Sequence, residues 1–80
     1  MKLSIYSLKK VLYEGDAESV NCQTESGEIT ILDHHRPLIT TLKAGNIKIV
    51  DTSKKEHYIP VSSGFLEVGS ENRAKLIVEA

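Results

Sequence analysis

The chain has 80 residues, a formal net charge of −1, three tyrosines, one phenylalanine, no tryptophan and one cysteine, Cys22. This composition excludes the basic surface and aromatic platform of a nucleic-acid binder, and a single cysteine excludes an internal disulfide or a thiolate zinc cluster. No apolar run is long enough for a transmembrane helix or a signal-peptide core, so we expect one domain, residues 1–80, of a soluble protein in a reducing compartment.

The first half of the chain has apolar residues at every second position, which is the period of a half-buried strand. Between these runs, Gly15-Asp16 predicts a bend and Thr24–Gly27 predicts a tight turn. The predicted strands cover residues 2–6, 11–13, 19–23 and 28–31.

The second half keeps the same period, with turn residues at Ala44-Gly45, Asp51–Lys55, Ser62–Gly64 and 69–72. Pro60 lies inside one of these runs and has no N–H for a ladder, so that run predicts an edge strand or a bulge. Short strands at this spacing, with no helical period, predict an antiparallel sandwich or barrel. The runs cover residues 38–42, 46–50, 57–61, 65–68 and 74–79.

A polar corner, Asp33–Pro37, separates two of the predicted strands. It permits three interpretations: a metal site, a catalytic site or a docking edge for another protein. His34 and His35 are adjacent, and adjacent strand residues point to opposite faces, so they are poorly placed to bind one ion. A third ligand, His57, would have to come from another strand.

A hydrolase triad can be written from Ser62 or Ser63 with His35 and Asp33. The sequence has no G-x-S-x-G elbow and no glycine-rich oxyanion loop, and about 80 residues leave little room for a water-excluding cleft. We therefore expect no catalytic residues in this chain. Cys22 lies on an apolar face and is interpreted as a small core residue.

Lys54-Lys55 at a predicted hairpin tip offers a different alternative. Lipoyl and biotinyl carrier domains are β-sandwiches of this size with a modified lysine on an exposed hairpin. Glu56 follows Lys55, but the neighbouring pattern and the internal pseudo-symmetry of carrier domains are missing. A solvated turn is the simpler interpretation.

Short motifs in six segments, taken in order, resemble the epsilon subunit of F-type rotary ATP synthases. That family has G-E-L-G-I, three residues, H-A-P-L, then K-P-G before an apolar strand, and later a Ser/Gly-rich break before an I-L-E-V-like strand. The opening strand and its F-x-G bend also agree. The matching segments here are Leu3–Ser7, Leu12–Gly15, Gly27–Ile31, His35–Leu38, Leu42–Val50 and Ser62–Val68.

The resemblance implies an all-β fold: a flattened antiparallel β-sandwich of about ten short strands, with no helical domain. It also implies a non-catalytic central-stalk subunit that docks the gamma subunit onto the polar loops of the membrane c-ring and couples ion-driven rotation to ATP synthesis. The expected location is the cytoplasmic side of the bacterial plasma membrane, where the chain would be peripheral and would meet the membrane only through the complex.

The resemblance also assigns contacts. Glu28 falls where the family contacts the c-ring loops, and His35 falls where it faces gamma. We expect Asp33, His34 and Arg36 to line the same rim as Glu28, and Leu42 to lie nearer gamma. The sequence departs from the family pattern at Thr30, at Asp33-His34 and at Arg36, and each departure alters the corner that would meet its neighbours.

The family usually continues into two C-terminal helices that brake ATP hydrolysis and in some members bind ATP. This sequence stops at Ala80 and contains no helical segment, so we expect it neither to inhibit ATP hydrolysis in this way nor to bind nucleotide. No metal or other cofactor is implied.

Overall fold

Alternating apolar residues form eight β-strands in the computed structural model, which describes residues 1–79. None of these residues forms a helix that is long and apolar enough to span a membrane. The strands are β1 (Lys2–Tyr6), β2 (Val11–Thr24), β3 (Gly27–Leu32), β4 (Leu38–Leu42), β5 (Gly45–Asp51), β6 (Glu56–Val61), β7 (Ser63–Gly69) and β8 (Arg73–Glu79).

The long strand β2 joins two layers. Its first half pairs with β1, which continues through β8 and β7 to β4 and forms the first layer. Its second half lies between β3 and β5, and β6 completes the second layer. The two layers are joined where β2 passes from one to the other, and again at the end of β2, where Thr24 pairs with Leu42 of β4.

The core lies between the layers and is built from one face of each strand. Its side chains are aliphatic and lose almost all contact with water, which makes the hydrophobic effect the main stabilising contribution. The largest fully buried apolar side chains are Leu3, Ile5, Val20, Ile31, Ile47, Ile49, Leu66 and Leu76.

The all-β sandwich class is confirmed, with three differences in detail. The predicted bend at Gly15-Asp16 does not end a strand: β2 runs through it, so two predicted strands merge and the described residues hold eight strands, not about ten. Gly15 has φ of 154°, an angle that favours glycine. The sheet is also mixed, because β1 and β8 pair in parallel.

The prediction for Pro60 is confirmed. β6 is paired with β5 alone, and Pro60 lies opposite Asn46. An edge strand tolerates proline because the missing N–H faces away from the ladder, and the proline discourages further strands from pairing there.

Candidate docking surfaces

Two polar groups of the corner, the Asp33 carboxylate and the His34 N–H, hold it to other parts of the fold. The α-ammonium group of Met1 donates hydrogen bonds to the backbone oxygen of Ala17, at 2.9 Å, and to the carboxylate of Asp33. The N–H of His34 donates to Oδ1 of Asn72, in the β7–β8 turn, at 2.7 Å. The corner is therefore fixed at the end of the sandwich where the chain starts.

Asp33 makes its internal contacts through one oxygen. The hydrogen bond from the Met1 ammonium group, followed by one from Asn72, lowers the pKa of its carboxyl below the usual value of 3.8. Both donors reach Oδ1, and the side chain stays 53% exposed, so Oδ2 can still accept a hydrogen bond from a partner. The side chains of His34 and Arg36 are exposed and remain available, whereas His35 places Nδ1 2.6 Å from the backbone oxygen of Arg36.

Glu28 does not share the corner. It lies at the beginning of β3, next to the turn that follows β2, whereas Asp33 follows the end of that strand. Five residues at about 3.3 Å each place the two roughly 16 Å apart. The four residues expected to line one rim therefore divide into two exposed sites at opposite ends of β3.

Leu42, expected near gamma, is a core residue. It is 4% exposed and lies where β4 meets both β2 and β7. The alternation of β4 turns its side chain inward, so a partner protein cannot contact Leu42 without opening the sandwich. Leu42 contributes to a docking surface indirectly, by holding its neighbours on β4 in position.

The catalytic alternatives do not assemble. Ser62 donates to the backbone oxygen of Glu79, and Ser63 to the carboxylate of the same residue. Ser63 begins β7, at the end of that strand remote from the corner, so neither serine meets His35 or Asp33. Burial raises the pKa of the Cys22 thiol to about 11.

No three histidine, cysteine or carboxylate side chains within residues 1–79 come together as a metal site would require. His57 is held by Asp51 at 2.8 Å and lies away from the other two histidines. At the predicted hairpin tip, Nζ of Lys54 makes two contacts of 2.8 Å with the carboxylate of Glu18. This exposed ion pair ties the tip of the β5–β6 hairpin to β2.

An exposed apolar row on the first layer was not singled out from the sequence. Phe65 on β7 pairs with Ile77 on β8, which pairs with Tyr6 on β1, and Tyr6 pairs with Val11 on β2. Phe65 and Ile77 are 58% and 48% exposed. These four residues, with Ile39 on β4, are called the apolar face. The sequence signal for this surface is the presence of apolar residues at strand positions that alternate with the buried ones.

The outer surface of the second layer differs in chemistry. Asn21 donates from its side chain to the hydroxyl of Thr30 at 2.9 Å, and Lys48 lies 3.5 Å from the carboxylate of Glu56. Tyr58 donates to the same carboxylate at 2.9 Å. The polar atoms here satisfy one another, so this surface gains less from being covered than the apolar face does.

Sequence comparisons with known proteins agree on one family. A family model described as ATP synthase, Delta/Epsilon chain, beta-sandwich domain, matches residues 1–80. The ATP synthase epsilon chain 2 of Burkholderia orbicola (strain AU 1054) is 43% identical over 72 residues, which is 89% of this chain and 47% of the relative. The ATP synthase epsilon chain of Dichelobacter nodosus (strain VCS1703A) is 37% identical over 76 residues, or 95% and 53%. This chain therefore spans about half the length of these relatives.

Two solved structures share the fold over the whole chain. One is in the central stalk/c-ring structure of the Tetrahymena thermophila mitochondrial ATP synthase, with a TM-score of 0.87, 18% identity and 63% of that chain covered. The other is in the OSCP/F1/c-ring structure of the Euglena gracilis mitochondrial ATP synthase, with a TM-score of 0.93, 16% identity and 51% covered. At these identities the likeness establishes the fold alone.

Proposed function

Because this chain belongs to the ATP synthase Delta/Epsilon chain β-sandwich family, we propose that it is a non-catalytic central-stalk module. It docks a gamma subunit on one surface and c-ring loops on another, and so helps to couple ring rotation to ATP synthesis. Such a module needs a stiff scaffold with exposed contact surfaces. A close-packed sandwich supplies the stiff scaffold, because its interior resists deformation.

The apolar face carries the assignment of the gamma surface. It presents Phe65, Ile77 and Ile39, which is 73% exposed, on one side of a sheet whose other side is the core. An apolar surface of this kind marks a protein contact, and its burial would supply most of the binding free energy. β4 begins after the corner, and Ile39 follows His35 by four residues. This closeness in sequence supports the expectation that His35 faces gamma.

Glu28 supports the proposed ring contact. It is an exposed carboxylate beside the turn after β2, and no ion pair holds it within the described residues. His34 and Arg36 form a second exposed polar site, beyond the opposite end of β3. One loop cannot reach both sites, but a ring presents repeated copies of its loops and can meet both. Charges of this kind mainly set register and the rate of encounter.

Native mass spectrometry of this chain mixed with gamma from the same source tests the central claim. A one-to-one complex is expected, and it should weaken in the Phe65→Ser variant, which removes an aromatic ring from the apolar face. If two folded partners form no complex, the proposed function is wrong.

A further inference from the structure

The nitrogen of Met1 is built into the fold as a charged group. Met1 is 8% exposed, and its ammonium nitrogen donates to the backbone oxygen of Ala17 in a buried hydrogen bond. In return, the N–H of Ala17 donates to the backbone oxygen of Met1 at 2.9 Å. These two bonds extend the pairing of β1 with β2 by one residue, and they use one of the three protons on the ammonium group.

A second contact uses the charge. The same ammonium group pairs with the carboxylate of Asp33, directly after β3. Asn72 lies 3.4 Å from that carboxylate through its side-chain nitrogen, and its side-chain oxygen accepts the N–H of His34. Met1, Asp33, Asn72 and His34 therefore form one connected group, here called the ammonium cluster.

Left-handed backbone occurs at two residues of the ammonium cluster. His34 and Asn72 have φ values of 63° and 58°, in a region that histidine and asparagine enter more readily than most residues with a side chain. The contacts of the cluster hold these two residues together, because they link the loop before β4 to the turn before β8.

We propose that the ammonium cluster responds to the chemical state of the Met1 nitrogen. A free ammonium group closes the corner by binding Asp33. A nitrogen that carries a formyl or acetyl group, or that is joined to a preceding residue, keeps a single N–H. That N–H still reaches Ala17, but the charge and the donor for Asp33 are gone, and an acyl oxygen now lies near the carboxylate. The corner then loosens at Asp33, Asn72 and His34. This inference does not depend on the proposed function.

The test compares three forms of the full chain made by chemical synthesis: a free Met1 nitrogen, an N-acetyl group, and a Gly-Ser extension. Urea unfolding should give the free form a folding equilibrium constant roughly fivefold above the other two, the upper end for a partly exposed ion pair. In Asp33→Asn chains, acetylation should have little effect. Lys2→Gln, which removes an exposed cation one residue away, is the control for general loss of positive charge.

Two results would overturn the proposal. One is equal stability of the free and acetylated chains. The other is an acetylation effect of the same size with Asp33 and with asparagine at that position. If Asp33→Asn does not fold, the amide proton of His34 gives an independent measurement in the native sequence. Its NMR signal should move and its hydrogen exchange should accelerate on acetylation, and an unchanged signal and rate would also reject the proposal.

Discussion

The Nε2 atom of His57 on β6 lies 2.8 Å from Oδ2 of Asp51 at the end of β5. The other carboxylate oxygen of Asp51 accepts the backbone N–H groups of Ser53 and Lys55, both at 2.9 Å. One carboxylate therefore fixes the turn and joins the two strands of the β5–β6 hairpin. The ring of Tyr13 packs edge-on against His57 at 5.5 Å, which connects this hairpin to β2.

The Asp51 contacts predict a pH-dependent contribution to stability. Hydrogen bonds, the largest from His57 and others from Lys55 and Ser53, lower the pKa of Asp51 below its usual value of 3.8. Because the folded pKa is lower than the unfolded pKa, the stabilisation is complete above about pH 4 and is lost as the pH falls through the folded pKa. Urea unfolding from pH 7 to pH 2 should show the native chain and Asp51→Asn converging at the acid end. Asp16→Asn is the control, and a pH-independent difference would contradict the prediction.

The apolar face predicts a selective loss of gamma binding. Phe65→Ser removes an exposed ring, so stability should change little, whereas the affinity for gamma should fall about tenfold or more if this ring is a main contact. Tyr58→Ser is the matched control, because Tyr58 is 57% exposed against 58% for Phe65 but lies on the other layer. Calorimetric titration of gamma with both variants measures the difference. Equal affinities would remove Phe65 from the interface.

Charge reversal at Glu28 predicts a defect confined to the ring. Glu28→Lys changes an exposed residue at one end of β3, so folding and the gamma complex should be unaffected. Attachment to the c-ring and coupled proton pumping should fall, and the loss should shrink at high ionic strength, where salt screens an exposed charge pair. Glu14→Lys, on the other layer, is the control. Unchanged attachment would show that Glu28 is not a ring contact.

Gly64 predicts a large steric effect from one methyl group. A Cβ at this position would lie 2.5 Å from the backbone oxygen of Ile77 and 3.0 Å from Cα of Val78. Gly64→Ala must separate β7 from β8 and should lower the free energy of unfolding by about 1–3 kcal/mol. Gly69→Ala, at the other end of β7, meets nothing within 4 Å and should cost much less. Urea midpoints of the two variants provide the comparison.

The burial of Leu42 predicts that truncating it lowers stability without removing a direct contact with gamma. Leu42→Ala should lower the free energy of unfolding by about 2–5 kcal/mol, because a buried leucine leaves a cavity. The affinity for gamma, expressed per folded molecule, should stay close to the native value. A large fall in affinity from a fully folded variant would restore Leu42 as a docking residue.

The corner shows how far sequence reasoning reached. The motif around His35-Arg36-Pro37 led to the family, which the comparison confirmed over residues 1–80. The same reasoning did not predict that Asp33 also pairs with the nitrogen of Met1, 32 residues away. Local sequence patterns do not predict a contact between residues so distant in the chain. The joining of two predicted strands into β2 was missed for a related reason, because Gly15-Asp16 is typical of a bend unless pairing with β1 keeps the strand extended.

The sequence by itself determined the buried phase of most strands, because an apolar period of two has one face to turn toward a single core. It also determined that Pro60 lies on an edge strand, since proline lacks the donor that an inner strand needs. The tertiary structure alone decided which outward residues became neighbours. Tyr6, Phe65 and Ile77 form one surface because β1, β7 and β8 pair in a particular register. Strand order depends on long-range pairing, and local periodicity carries no information about it.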